Sequence, residues 1–313
     1  MKYGLFTFIL LLLVSPVWGE KKKQSAPIWT DPETAAKEVP SFQKQGEYSG
    51  SRDGQNIGVQ VADLGGGEFL VLRYMGGLPN EGWDKGALVS KKVATLDLDS
   101  EITGLQKLTR TSSTLGKKAP EGALVIFDGK ATDYIKGEIK EGLLWAGSQT
   151  TQPVGDFSLH IEFRLPYKPG RLPSSQDRGN SGLYLFNNYE IQVLDSFALD
   201  FKKENNAIKL QSDSKQWCGC FYKFKHPDVP MALPPLTWQT YDIDFTAPKF
   251  EGEKKVENAR ITVRHNGVLI HDDVELPKGT GAGGGRPEKA KGQIYLQGHG
   301  NPVAFRNFWL VEK

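Results

Sequence analysis

The stretch R-G-N-S-G-L-Y-L-F-N-N-Y-E-I-Q-V-L-D, residues 178–195, decides the fold because it reads as a β-hairpin. Two strand-like runs, residues 182–186 and 189–194, are joined by Asn187-Asn188. Asparagine accepts the unusual backbone angles that a tight hairpin turn needs, although Asn-Gly would be a stronger signal. We therefore predict two antiparallel strands that meet at this turn.

The second run has the alternation of a strand with one buried face. Side chains of successive strand residues point to opposite faces of a sheet. We expect Tyr189, Ile191 and Val193 to point into a core, and Glu190 and Gln192 to lie together on the other face. A carboxylate beside an amide on one face predicts a polar, concave working surface, and a merely solvated sheet face is the alternative.

The rest of the second half also reads as strands, and no helical crossover interrupts them. Runs with alternating apolar and polar residues lie at 156–165 and 238–245. Residues 260–270 read as a hairpin whose turn is His265-Asn266-Gly267, and the last strands are 292–297 and 303–311. Strands separated by turn signals predict an all-β protein with two antiparallel sheets packed as a jelly-roll sandwich. The Gly-rich segment 279–292 lacks the ending of a phosphate-binding loop, so we expect a mobile loop there.

The first half predicts a separate small domain. Residues 41–118 read as a β-meander or barrel-like accessory domain, and Lys117 to Gly122 reads as the linker to a second domain at 119–313. Gly-rich turns separate its short strands. The candidate strands are 47–50, 57–64, 68–74, 87–98 and 102–110.

The N-terminus reads as an export signal followed by a tether. Residues 1–19 have a lysine, an apolar run and a small-residue cleavage site, as in a secretory signal peptide, with an uncleaved anchor as the alternative. Residues 20–40 are polar and proline-containing, and we expect one short helix near 32–37. The sequence therefore predicts a secreted or periplasmic protein whose mature chain has no membrane span.

Composition limits the partners. The chain has 39 Lys and Arg against 37 Asp and Glu, a formal charge of +2, which does not suggest a nucleic-acid partner. Its two cysteines, Cys218 and Cys220, are two residues apart, a spacing at the limit for a disulfide, and two thiolates are too few for a zinc site. We expect two small packed side chains.

Four segments together resemble the 3-keto-disaccharide hydrolase family, formerly a domain of unknown function. They are residues 178–195, T-W-Q-T-Y-D-I-D-F-T-A-P-K-F from 237, H-N-G-V-L-I-H-D-D-V-E-L from 265, and I-Y-L-Q-G-H-G-N-P-V-A-F-R-N-F-W-L from 294. The resemblance covers about 123–313. It implies a concanavalin A-like fold in an exported bacterial protein.

The resemblance also implies chemistry on a glycoside that already carries a ketone at C3. The ketone acidifies the hydrogen on C2, so that a base can remove it, the C1 substituent can leave, and water can then add. Such a site needs a base near neutral pKa, a group that stabilises the enolate oxygen, and an acid for the departing oxygen. A divalent cation could polarise the ketone, but the sequence has no H-x-H or similarly diagnostic spacing.

Glu190 and His299 are the candidate catalytic residues. Glu190 would act as the base or as a metal ligand, with a structural ion pair to Arg178 or Arg306 as the alternative. His299 lies in a Gly-flanked turn and could act as acid, base or ligand, with a loop-organising hydrogen bond as the alternative. We expect His265 and His271 to lie on the surface.

The candidate substrate-binding residues are polar side chains expected on the same face. Glu162 should face the groove, although a buried bond to Asn180 or Ser181 is an equal alternative, and Asp195 could instead cap a turn. Gln297 shares the face of its strand, and Arg306 more commonly pairs with a carboxylate. The set is Glu162, Arg178, Asn180, Ser181, Gln192, Asp195, Gln297 and Arg306.

Two other functions remain open. An ordinary retaining glycoside hydrolase needs two carboxyl groups about 5 Å apart, but in Glu190-Ile-Gln-Val-Leu-Asp195 an amide occupies the middle position. A non-catalytic lectin-like protein would instead stack sugars on Trp145, Trp217 or Trp238.

Overall fold

The computed structural model describes residues 27–86, 88–201, 210 and 212–313. The predicted signal peptide lies outside these residues, as do the first part of the tether and most of 202–211. The tether's predicted helix is confirmed as α1, Pro32–Glu38, whose first turn is capped by the Asp31 carboxylate. Within the described residues, no helix has the length and apolarity to cross a membrane.

The first sheet is an antiparallel meander. It has five strands in the order β4-β3-β2-β1-β5, and β4 and β5 form its two edges. It is therefore an open sheet and not a closed barrel. The strands are β1 Gly46–Arg52, β2 Gln55–Gly65, β3 Glu68–Met75, β4 Leu88–Ala94 and β5 Gln106–Leu108.

A helix replaces part of one predicted strand. The strand predicted over 87–98 ends at Ala94, and α2 spans Thr95–Ile102. In the Leu-Asp-Leu-Asp run, Leu96 is 92% exposed whereas Leu98 is fully buried, which does not fit two residues on one face of a strand. Leu98 and Ile102 are four residues apart, so both lie on the helix face that packs on the sheet.

The second domain is a sandwich of two antiparallel sheets, which confirms the predicted concanavalin A-like fold class. Five strands form a small sheet in the order β13-β12-β19-β10-β7, and a large sheet has the order β18-β17-β14-β11-β20-β9-β8, with β6 beside β20. The small-sheet strands are β7 Ile135–Lys136, β10 Ser148–Thr150, β12 Ser181–Leu185, β13 Tyr189–Val193 and β19 Ile294–Leu296. The large-sheet strands are β6 Leu124–Phe127, β8 Ile139–Lys140, β9 Leu143–Trp145, β11 Phe157–Arg164, β14 Trp238–Thr246, β17 Ala259–His265, β18 Val268–Leu276 and β20 Ala304–Glu312; β15 Lys249–Glu251 and β16 Lys254–Glu257 form a separate hairpin.

The predicted hairpin forms, but its turn begins one residue earlier than expected. Phe186 and Asn187 have positive φ angles of 57° and 58°, and Leu185 pairs with Tyr189. As predicted, Tyr189, Ile191 and Val193 are buried in the core between the sheets.

The sandwich core is largely aromatic and aliphatic. Phe186 of the hairpin turn packs edge-on against Phe245 of the large sheet, with ring centroids 5.1 Å apart. The Tyr241 hydroxyl crosses the core and donates a 2.7 Å hydrogen bond to the Gln192 carbonyl. These contacts fix the hairpin against the large sheet.

The first domain packs against the segment that follows β13. Leu70, Leu72 and Tyr74 of its sheet share a buried cluster with Phe197 and Trp217 of the sandwich. A second contact joins the Asp63 carboxylate to the Tyr167 hydroxyl. The first sheet and the sandwich are therefore joined by buried contacts at two places.

Several buried side chains correct or confirm expectations. His265 and His271, expected on the surface, are fully buried, bonded to Gln239 and to the Gly219 carbonyl, because both lie on core-facing positions of their strands. Burial lowers the pKa of His265 to about 3 and that of His271 to about 4. The two cysteines are free and buried, as predicted.

Candidate functional site

Glu190 is a buried carboxylate on the outer face of the small sheet. It is 2% exposed, and its Oε2 accepts a 2.7 Å hydrogen bond from the Tyr184 hydroxyl, directly opposite on β12. Burial raises its pKa from the ordinary 4.5 to about 7, although the Tyr184 hydrogen bond and the charge of Lys223 both lower it. A carboxyl group in this state is about half ionised at pH 7, and its ionised form is basic enough to take a proton.

Gly182 makes room for this carboxylate. A Cβ at position 182 would lie 2.5 Å from Glu190 Oε1, so any larger residue would displace the side chain. Gly182 is the β12 residue opposite Gln192. The glycine therefore leaves the space above β12 to the Glu190 carboxylate.

The Gly-rich segment after β18 supports Glu190 from one side. Thr280 Oγ1 accepts a 2.7 Å hydrogen bond from the Glu190 amide, and a Cβ at Gly283 would lie 2.1 Å from the Asn188 carbonyl oxygen. A mobile loop was expected over 279–292, but Gly279, Thr280 and Gly283 are buried against the hairpin. This part of the segment is packed into the fold.

A loop on the other side brings a cation near Glu190. The Tyr222 amide donates a 3.1 Å hydrogen bond to the Glu190 carbonyl, and Lys223 follows with a positive φ of 59°. The Lys223 amide is bonded to the Lys215 carbonyl, and its ammonium lies 5.5 Å from the centre of the Tyr222 ring. The segment that covers the edge of β13 therefore supplies the exposed positive charge that lowers the pKa of Glu190.

The Gln192 amide is engaged by the protein itself. Its Nε2 donates to the Gln216 carbonyl at 3.1 Å and approaches Gln176 Oε1 at 3.4 Å, while its Oε1 accepts from the Val193 amide at 3.1 Å. Gln216 Oε1 in turn accepts a 2.9 Å bond from the Tyr222 hydroxyl. Gln192 shares the face of Glu190, as predicted, and connects the two loops beside it.

Arg178 and Asp195 form a buried ion pair with each other. Arg178 Nε and Nη2 donate to Asp195 Oδ2 at 2.9 and 2.6 Å, and both residues are 2% exposed. The other oxygen, Oδ1, accepts from the Phe197 amide at 3.3 Å. Both carboxylate oxygens of Asp195 are therefore hydrogen-bonded within the protein, which argues against Asp195 as the second carboxylate of a retaining hydrolase.

Gln297 and Ser181 join β12 to the end of β19. Ser181 Oγ donates to the Gln297 carbonyl at 2.7 Å, and Gln297 Nε2 lies 3.5 Å from the Tyr184 hydroxyl. Asn180 is buried, and its Oδ1 has no hydrogen-bond partner within the described residues. Gln297 thus lies next to the phenol that bonds Glu190.

His299 lies in the exposed turn that follows Gln297. Its carbonyl accepts a 3.3 Å hydrogen bond from Asn301 Nδ2, and the residue itself is exposed. Its backbone is anchored by this bond, while its imidazole faces solvent. His299 is two residues after Gln297, whose side chain approaches the Tyr184 hydroxyl beside Glu190.

The prediction that Glu162 faces the same groove as Glu190 is wrong, whereas Arg306 pairs with a carboxylate, as its alternative interpretation had it. They bond each other at 2.6 Å on the outer face of the large sheet, on the opposite side of the sandwich. Burial opposes ionisation of Glu162, but hydrogen bonds including those from Asn307 and the Gly116 amide outweigh it and lower the pKa to about 2. Glu162 through the Gly116 amide, and Asn307 through the Lys117 carbonyl, hold this part of the chain against the large sheet.

The tryptophans do not form a sugar platform beside Glu190. Trp217 is fully buried in the interface between the domains. Trp238 lies on the large sheet beneath the Arg164 and Arg306 guanidinium groups, 4.8 and 4.0 Å from its ring. Trp145, on β9, also belongs to the large sheet.

The donor set around Glu190 does not fit a divalent cation. Within the described part of the chain, no three His, Cys, Asp or Glu side chains are grouped as a metal site. The side chains bonded to or beside Glu190 are a phenol, amides and a lysine. Hard divalent cations favour several carboxylate or carbonyl oxygens, which these side chains do not supply.

Sequence reasoning missed Tyr184, Tyr222 and Lys223. Tyr184 lies within the predicted hairpin, but its position opposite Glu190 depends on a register that the structure alone gives. Tyr222 and Lys223 follow the two cysteines in a segment without regular alternation, and only the folded chain brings them to β13.

Comparison with known proteins agrees with the predicted family. Residues 106–311 match the family described as the 3-keto-alpha-glucoside-1,2-lyase-like domain. One solved structure, a Parabacteroides distasonis protein provisionally named a glycosyl hydrolase, is 30% identical, with a TM-score of 0.51 over 62% of this chain and 85% of that chain. Another with the same provisional name and organism is 17% identical, with a TM-score of 0.45 over 62% and 94%. No curated protein matches the chain.

Proposed function

Because the chain belongs to the 3-keto-alpha-glucoside-1,2-lyase-like family, we propose that it cleaves the glycosidic bond of sugars that carry a ketone at C3. The provisional naming of a 30% identical Parabacteroides distasonis protein as a glycosyl hydrolase supports a glycoside-acting enzyme in general. The predicted signal peptide adds the proposal that the enzyme acts after export.

The reaction is an elimination followed by hydration. The base takes the proton from C2, and the C2–H electrons form an enolate with the C3 oxygen. When the C3 carbonyl forms again, the electrons move to C1=C2, the C1–O bond breaks, and the leaving oxygen receives a proton. Water then adds its hydroxyl to C1 and a proton to C2, so the net change is hydrolysis.

Glu190 is the proposed base, and its environment is the observation that carries the proposal. General bases work best when their pKa lies near the operating pH, and burial raises the pKa of Glu190 to about 7. The Tyr184 hydroxyl holds Oε2, while Oε1 lies over Gly182. The carboxylate is therefore both oriented and basic.

Lys223 and His299 have the chemistry for the two other roles. An ammonium group near the carboxylate would stabilise the negative charge that moves from Glu190 to the C3 oxygen during deprotonation. His299, in the exposed turn after Gln297, is the candidate acid for the leaving oxygen.

The test compares two substrates and two proteins. We expect the wild type to cleave a 3-keto glucoside and to leave the unoxidised glucoside intact, and we expect Glu190→Gln to lose activity about 10²- to 10⁴-fold. Circular dichroism of the variant controls for folding. Equal turnover of both sugars would indicate an ordinary hydrolase, and binding without turnover would indicate a lectin.

A further inference from the structure

A row of five outward residues crosses the whole small sheet. In the strand register, Glu190 is opposite Tyr184, Tyr184 opposite Tyr295, Tyr295 opposite Gln149, and Gln149 opposite Lys136. We call this set the five-strand row. Directly paired residues on neighbouring strands lie on the same face of a sheet, so the row is continuous.

The strand neighbours of these residues confirm that the row faces away from the core. Ile191 beside Glu190, Leu183 beside Tyr184, Ile294 beside Tyr295 and Ile135 beside Lys136 all belong to the sandwich core. Ser148 and Thr150, on either side of Gln149, are also buried. Because side chains alternate along a strand, the row lies on the outer face.

The row is long and is closed at one end. Four strand spacings of about 4.8 Å span about 19 Å, which is more than one sugar ring. Exposure rises along it: Glu190 and Tyr184 are buried, Tyr295 and Gln149 half-buried, and Lys136 exposed. The segment at Tyr222 covers the edge of β13 beside Glu190. Across the strands of this sheet, the open direction from Glu190 is therefore towards Lys136.

The chemistry of the middle of the row fits a carbohydrate. The Tyr184 and Tyr295 rings lie 6.3 Å apart, and tyrosine offers an apolar face together with a hydroxyl. Gln149 Nε2 donates to Gln293 Oε1 at 2.6 Å, while Gln149 Oε1 has no protein donor among the described residues and can accept a bond from a sugar hydroxyl. Between its two charged ends the row is neutral, polar and aromatic.

We propose that the five-strand row binds the leaving group of the substrate as an oligosaccharide. The 3-keto ring lies at Glu190 and Tyr184, the next ring lies over Tyr295 and Gln149, and a third ring extends to Lys136. The enzyme then acts at the end of a chain and not within it, because the Glu190 end is closed. This inference rests on the proposed function of the Glu190 site.

The experiment measures kcat/KM for three 3-keto α-glucosides whose leaving groups are methanol, glucose and maltose. For the wild type we expect kcat/KM to rise with the length of the leaving group. Gln149→Ala should lose about 3- to 10-fold on the two longer substrates and nothing on the methyl glycoside. Lys136→Ala should affect only the longest substrate, and Lys140→Ala, on β8 of the large sheet, should change none.

The inference is overturned if kcat/KM does not depend on length, or if Gln149→Ala affects the three substrates equally. Turnover of the methyl glycoside would in that case leave the proposed function intact. If no 3-keto glucoside is cleaved, binding of unoxidised maltose and maltotriose to Glu190→Gln, measured by calorimetry, tests whether the five-strand row binds an oligosaccharide. Tighter binding of maltotriose than of maltose, lost in Lys136→Ala, would support oligosaccharide binding along the five-strand row even without the proposed reaction. Equal binding of the two sugars would overturn this inference.

Discussion

The Tyr184 hydroxyl donates a 2.7 Å hydrogen bond to Glu190 Oε2 across the central hairpin, and both side chains are almost fully buried. Burial also raises the pKa of Tyr184 itself, with a further contribution from the Glu190 charge, so the phenol stays protonated at neutral pH. The pair therefore acts as a fixed donor and a carboxylate acceptor, and the donor stabilises the ionised form of the base.

Tyr184→Phe should move the pH dependence of activity. The Tyr184 hydrogen bond lowers the pKa of Glu190, so its removal raises that pKa further above 7. Because the base must be deprotonated, kcat/KM should rise with pH along a limb that lies at higher pH than in the wild type. A pH–rate profile measures this shift. An unchanged midpoint would show that Glu190 is not the titrating base.

Glu190→Gln should stabilise the protein at high pH. The folded chain keeps the proton on Glu190 up to about pH 7, whereas the unfolded chain loses it near pH 4.5, so wild-type stability falls as pH rises through this window. At pH 8 the variant should be more stable by about 3 kcal/mol, and at pH 4 the difference should be small. Urea unfolding at both pH values tests it; a variant less stable than the wild type at pH 8 would refute the prediction.

Lys223→Ala should lower activity more than Lys225→Ala. Lys223 places its charge near Glu190, whereas Lys225, two residues on, is paired with Asp228 at 2.6 Å. Loss of Lys223 should reduce the plateau of kcat/KM about 10- to 100-fold and should shift the profile to higher pH. The effect on the midpoint should weaken in high salt. Equal effects of the two substitutions would argue against a specific role for Lys223.

Arg178→Ala should destabilise the fold strongly. The substitution leaves Asp195 buried without its partner, which costs about 3 to 5 kcal/mol. Lys249→Ala, which breaks the exposed pair with Glu257, is the control and should cost less than about 1 kcal/mol. Denaturant unfolding compares the two. Similar small losses would mean that the Arg178–Asp195 pair does not hold the loop before β12.

Alternation along single strands predicted much of the fold and the face of Glu190. Tyr189, Ile191 and Val193 are in the core, and Glu190 and Gln192 lie together on the outer face. The pairing partner of Glu190 could not be predicted, because a turn at Asn187-Asn188 would place Leu185 opposite Glu190. The observed turn has three residues, Phe186, Asn187 and Asn188, so the register shifts by one residue and Tyr184 lies opposite Glu190 instead.

Alternation cannot tell which sheet a strand joins, and this explains the error at Glu162. Both Glu162 and Glu190 face away from the core, as their patterns indicate, but β11 pairs with β14 and β20 whereas β13 pairs with β12. The two outer faces lie on opposite sides of the sandwich. Strand order depends on long-range pairing, for which the local sequence carries no signal.

The most direct test of the central claim is the fate of the C2 hydrogen when a 3-keto glucoside is cleaved in D₂O. If Glu190 removes this proton and water adds later across C1=C2, the 3-keto sugar product should carry deuterium at C2 from the first turnover. Glu190→Gln should slow cleavage and enzyme-dependent exchange together, about 10²- to 10⁴-fold. Mass spectrometry and NMR of the product, corrected for spontaneous exchange of the free keto sugar, measure it. Product that keeps its original C2 hydrogen would contradict the mechanism.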